Sequence, residues 1–120
     1  MNQTVMIVDD SLFMRNILRG IVTEKGYVVI ADAASGIETM KNLHSHNPDI
    51  ILLDIVLPDS SGLDLLQSII NTRPQTCVVV CSAIGQELII RKALDLGAKA
   101  FIQKPFTPEK VIETLESLRG

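Results

Sequence analysis

Aromatic residues are scarce in this chain of 120 residues, which has no Trp, one Tyr and three Phe. With neither G-x-G-x-x-G nor G-x-x-x-x-G-K-[ST] present, that scarcity argues against a flavin or nucleotide carrier. A basic excess is also missing. The net charge is -3, so the surface lacks the positive field on which non-specific nucleic-acid binding depends, and no direct nucleic-acid partner is expected. No apolar run exceeds six residues, far short of the roughly 20 that span a bilayer. With no charged-then-apolar leader at the start, no membrane partner and a cytoplasmic location are expected. There are two cysteines, Cys77 and Cys81, in one apolar run. On a strand they would share a face about 13 Å apart, too far to pair, so free buried thiols in a reducing compartment are expected. His44 and His46 have no Cys or acid partner at metal spacing and read as surface residues.

What is present is a fold pattern. Apolar residues make up 47% of the chain, and the length suits one domain, residues 1–120, that buries roughly two-thirds of its unfolded surface. There is no internal repeat, linker or low-complexity stretch. Five runs read as strands: Thr4 to Asp9, Val28 to Ala33, Ile50 to Asp54, Thr76 to Cys81 and Ala100 to Gln103. Several are apolar without alternation, as expected of parallel strands covered on both faces. Between and after them lie helical spacings: Phe13, Ile17, Ile21; Ile37, Met40, Leu43; Leu66, Ile69, Ile70; Ile89, Ile90, Ala93; Val111, Leu115, Leu118. Ser11, Ser35 and Thr107 stand at N-cap positions, Pro108 in a first turn, and Gly26 and Gly97 where helices end. The pattern is (βα)₅, which predicts an α/β fold: a doubly wound, five-stranded parallel sheet of order 2-1-3-4-5 with five helices.

In such sheets ligands bind outside the carboxyl ends of the strands. Asp9 and Asp10 close the first strand, Asp54 the third and Lys104 the fifth, and Ser82 follows the fourth. Three acids gathered at one edge repel each other unless a cation holds them, and Mg2+ takes carboxylates, a backbone carbonyl, waters and a phosphoryl oxygen. A carboxylate there can attack phosphorus to form an aspartyl-phosphate, with the metal, Lys104 and the Ser82 hydroxyl neutralising the phosphoryl oxygens.

Four ordered motifs add to this chemistry: Asp9-Asp10-Ser11, Asp54-Ile55-Val56-Leu57-Pro58-Asp59-Ser60-Ser61-Gly62, Ser82-Ala83 and Lys104-Pro105-Phe106. Together they resemble the receiver domain of two-component response regulators, whose sheet is flavodoxin-like, and the resemblance covers essentially the whole chain. It implies that Asp54 takes a phosphoryl group from a histidine kinase. It further implies that Asp10, Asp54 and the Val56 carbonyl bind Mg2+ while Asp9 acts through water, that Lys104 pairs with the phosphoryl group, and that Ser82 and the aromatic Phe101 form a switch. A cis bond between Lys104 and Pro105 is implied as well. Cys81 to Gln86, Phe101 to Phe106 and Val8 to Arg15 look most like single-domain chemotaxis regulators, and the chain stops just beyond its last helix, from which no output domain is expected.

The implied protein is a signalling module and phosphoprotein that catalyses only its own phosphorylation and dephosphorylation. Its expected partners are a histidine kinase, a downstream protein such as a flagellar motor switch protein, and a phosphatase; a monomer is expected. Its partner surface would be Gln86 to Leu96, Lys99 to Gln103 and Glu109 onward. Leu57 stands where Met is commoner in the family, and Ser61 where Asp or Asn is. Val56 and Ile84, two past the acceptor and two past the switch hydroxyl, are both apolar, which predicts slow to moderate loss of the phosphoryl group. Arg15 and Arg19 read as a solvated face of the first helix. Three alternatives remain open: a phosphorelay intermediate, a receiver cut from a DNA-binding regulator, and a Mg2+-dependent aspartyl-phosphate phosphatase. The last is disfavoured because its family carries Asp-x-Asp after the first strand and a substrate cap.

Overall fold

A computed structural model describes residues 2–119; Met1 and Gly120, the ends of the expected domain, lie outside the described residues. Strands and helices alternate strictly: β1 (Thr4–Val8), α1 (Leu12–Glu24), β2 (Val28–Ala33), α2 (Gly36–Ser45), β3 (Ile50–Asp54), α3 (Gly62–Thr72), β4 (Cys77–Ala83), α4 (Glu87–Leu96), β5 (Ala100–Lys104) and α5 (Pro108–Ser117). The strands form one parallel sheet in the order β2-β1-β3-β4-β5. This is the flavodoxin-like architecture expected from the alternation of runs.

The period-2 geometry of strands divides the core in two. Val5, Ile7, Ile50, Leu52, Val79, Cys81 and Ile102 pack with Leu18 and Val22 of α1 and Val111 and Leu115 of α5. Met6, Val8, Ile51, Leu53, Val78 and Val80 pack on the other side with Leu43 of α2, Leu66 and Ile69 of α3 and Ala93 of α4. Both faces are covered, which is why β1, β3 and β4 carry apolar residues at consecutive positions.

The helices start where the capping residues stand. Ser11, Ser35 and Thr107 each accept a hydrogen bond from a first-turn N–H, of Met14, Glu38 and Lys110. Glu38 also reaches back past the cap to accept from Ala34 N at 2.6 Å, which ties the preceding loop to the first turn of α2. Gly97 follows α4 with φ +124°, a conformation that only glycine adopts without strain. No helix among the described residues is long and apolar enough to cross a membrane.

Four expectations need correction. The fourth strand runs to Ala83, because Ser82 and Ala83 stay in register with Gln103 and Lys104 of β5; Ser82 therefore lies within the strand. Phe13 and Ile37, placed on buried helix faces by spacing, are exposed: α1 buries the stripe of Leu18 and Val22 instead, and α2 buries Thr39 and Leu43. Cys77 is only half-buried at the start of β4, while Cys81 is buried. Arg15 is not solvated; its side chain is 13% exposed and ion-paired.

Candidate functional site

The carboxyl edge of the sheet gathers the acidic residues by strand parity. Asp9, Asp54 and Lys104 each stand two residues beyond an inward apolar residue of one face, Ile7, Leu52 and Ile102, so the three project to the same side. Lys104 Nζ lies 3.2 Å from Asp9 Oδ2 and 3.2 Å from Asp54 Oδ2. The two acids are otherwise held by main chain: Asp9 Oδ1 accepts from Ser11 N at 2.9 Å, and Asp54 Oδ1 accepts from Val56 N at 3.0 Å. Asp10 is exposed at the rim. One oxygen from each of Asp9, Asp10 and Asp54 can be chosen so that all lie within 4.8 Å of one another.

Charge does not balance here. Three carboxylates face one ammonium, and Asp9 and Asp54 are both buried. Burial raises the Asp54 pKa above its usual value; the Val56 N–H and Lys104 pull it down, Asp9 pushes it up, and the rise prevails. For Lys104 burial works downward, yet the two carboxylates outweigh it and its pKa rises. Burial thus sets the direction at Asp54, and the two acids set it at Lys104. A hard dication would answer the remaining negative charge, and an all-oxygen donor set of this kind fits Mg2+.

Ser82 sits beside Cys81, the register partner of Asp54. It is buried, and its Oγ has no hydrogen-bond partner among the described residues. A buried hydroxyl without a partner is a costly arrangement unless an acceptor arrives there. Phe101 on β5 faces outward and is 44% exposed. Lys104–Pro105 is a cis peptide bond.

The loop after Asp54 is fixed by close packing. A Cβ on Gly62 would lie 2.0 Å from the Ile55 carbonyl oxygen, so only glycine lets α3 start against that strand end. Val56 and Ser61 form an isolated antiparallel bridge across the loop. Asp59 reaches out of it to accept from Gly36 N at 2.8 Å and Ile37 N at 3.1 Å, tying the loop to the start of α2. Those amide bonds lower the Asp59 pKa. Neither this cap nor the environment of Arg15 was foreseeable from spacing, because each joins segments far apart in the chain.

Residues 5–116 match the family described as "Response regulator receiver domain". This chain belongs to that family. The receiver domain is 40% identical over 118 residues to "Chemotaxis protein CheY" of Thermotoga maritima, covering 98% of both chains. It is 41% identical over 112 residues to the protein of the same name from Listeria monocytogenes, covering 93% of this chain and 94% of that one. Among solved structures, the receiver domain of NtrX from Brucella abortus superposes with a TM-score of 0.87 at 30% identity, over 96% of this chain and 95% of that one. The protein is thus a CheY-like receiver domain of a two-component response regulator, a signalling module whose sheet edge carries the acidic pocket.

Proposed function

We propose that residues 1–120 form one receiver domain that accepts a phosphoryl group from a histidine kinase on Asp54, with Mg2+, and signals through a changed surface, in chemotaxis. The observation that carries this is the meeting of Asp9, Asp10 and Asp54 with Lys104 bonded to two of them. Identity of about two residues in five to proteins named for chemotaxis supports the pathway.

Asp54 would act as nucleophile. One of its carboxylate oxygens bonds to phosphorus as the P–N bond of the kinase phosphohistidine breaks, and the leaving imidazole keeps the electron pair and takes a proton from solvent. Val56 N–H holds Oδ1 and Lys104 holds Oδ2, so the carboxylate is oriented before the donor arrives. Lys104 is within reach of the incoming charge, and the unpartnered Ser82 hydroxyl would donate to a phosphoryl oxygen. Asp10, Asp54 and the Val56 carbonyl, with Asp9 through water, would hold Mg2+, which neutralises charge on the phosphoryl group.

The signal would be a two-state change in which Ser82 and the exposed Phe101 move inward and the α4–β5–α5 face is remodelled. A downstream protein such as a flagellar motor switch protein would prefer that state and, by linkage, prolong it. The domain would act as a cytoplasmic monomer, catalysing only its own phosphorylation and dephosphorylation, the latter open to a phosphatase.

Borohydride reduction after incubation with Mg2+ and acetyl phosphate tests the acceptor. An acyl phosphate on Asp54 is reduced to homoserine, and peptide mapping should find that change at position 54. Modification at Asp9 or Asp10, or at none of the three, contradicts the assignment.

A further inference from the structure

Arg15 touches the acidic pocket from behind. Its Nη1 donates to the Asp9 carbonyl oxygen at 2.6 Å, and its Nε to Asp32 Oδ2 at 3.1 Å. Asp32 is the fifth residue of β2, and Arg19 Nη2 lies 3.3 Å from the same carboxylate oxygen. The Asp32 carbonyl in turn accepts from Asn42 Nδ2 of α2 at 2.8 Å. The guanidinium therefore spans from the edge strand to the turn that carries Asp9 and Asp10.

We infer that Arg15 is a positioning residue for the metal-binding acids, acting through the peptide between Asp9 and Asp10. This rests on the Mg2+ reading given above. The peptide unit is rigid and planar, so a bond to the Asp9 carbonyl also sets where the Asp10 Cα lies. Asp9 has other restraints: its N–H donates to the Ala33 carbonyl at 3.0 Å, and its carboxylate is held by Ser11 N and Lys104. Asp10 is exposed and its side chain makes no hydrogen bond among the described residues, so the main chain is what fixes the point and direction from which its carboxylate reaches. A planar guanidinium with several fixed donors can bond a carbonyl and a carboxylate at once, and it stays charged at all relevant pH; a lysine can satisfy only one of the two in that geometry.

Calorimetric Mg2+ titration, with thermal melts in the presence and absence of Mg2+, tests this in the intact chain. Arg15→Ala should weaken Mg2+ binding about tenfold, the lower end of what loss of a ligand's outer partner does. Its metal-dependent rise in Tm should shrink accordingly, and Arg15→Lys should recover only part of the affinity. Two controls separate positioning from general destabilisation. Arg19→Ala loosens Asp32 without reaching the Asp9 carbonyl. Asp49→Ala breaks the Thr4–Asp49 hydrogen bonds at the opposite edge of the sheet. Both should melt earlier than the native chain yet bind Mg2+ with native affinity. If Arg15→Ala and Arg15→Lys weaken Mg2+ binding no more than Asp49→Ala does, the inference is overturned. A native chain that binds no Mg2+ overturns the metal reading itself, a result distinguishable from native binding that survives the loss of Arg15.

Discussion

At the scale of single residues, the pocket is defined by an imbalance. Lys104 lies equally close to Asp9 and Asp54, and a third acid stands at the rim. Beside it, Val56 and Ile84 are both exposed and apolar, 59% and 71% accessible. Neither can orient an attacking water by hydrogen bonding, so an acyl phosphate at Asp54 would be long-lived for want of a positioned nucleophile. Val56→Asn and Ile84→Glu should each speed phosphate release several-fold in a single-turnover assay; unchanged or slower release contradicts the proposal. Cys81 offers a separate check. Burial pushes its thiol up to about 12, so the reactive thiolate is suppressed at neutral pH. A thiol reagent at neutral pH should leave Cys81 unmodified in the folded chain and label it on denaturation, as mass mapping of the labelled peptide would show. The places of Asp54 and Lys104 at the sheet edge were legible in the sequence because each ends an apolar run, where a charge has no packing reason to be. The burial of Ser82 within β4 was less so, since a serine after an apolar run can equally begin a turn.

At the scale of elements, Asp59 links two units that the chain separates by 23 residues. Its carboxylate accepts from Gly36 N and Ile37 N at the start of α2, where the helix dipole also favours negative charge. The folded chain thereby lowers its pKa below the ordinary 3.8. A depressed acid contributes stability that is fully present above its unfolded value and is lost as pH falls through the folded one. Asp59→Asn should therefore lower the urea midpoint at neutral pH, and the gap from the native chain should close below the ordinary carboxylate range. A gap that persists in strong acid contradicts the charge-based cap. The local caps Ser11, Ser35 and Thr107 were readable because an N-cap and its N–H lie within three residues. Asp59 was not, for no local pattern marks a cap supplied from another loop. Helical spacing likewise located α1 and α2 but misplaced Phe13 and Ile37, because their stripes are centred one position away on the surfaces that meet the sheet.

At the scale of the whole molecule, strand order converts four separated motifs into one site. β1 and β3 are adjacent, β4 follows and β5 closes the sheet, so residues 9, 54, 82 and 104 share one edge. This was visible in the alternation of apolar runs and helical spacings, and the match to the receiver family spans residues 5–116, which include all four positions. The long-range hydrogen bonds that brace the edge, Arg15 to Asp9 and Asp59 to α2, emerge only once the chain is folded. A phosphoryl group at Asp54 adds charge to an edge already rich in it, and that addition is what would drive the switch. The central claim is that Asp54 itself becomes phosphorylated. Intact mass after incubation with Mg2+ and acetyl phosphate measures it directly: the native chain should gain about 80 Da, one phosphoryl group, and Asp54→Asn should gain none. Equal gain in both chains, or no gain in the native one, would contradict the account.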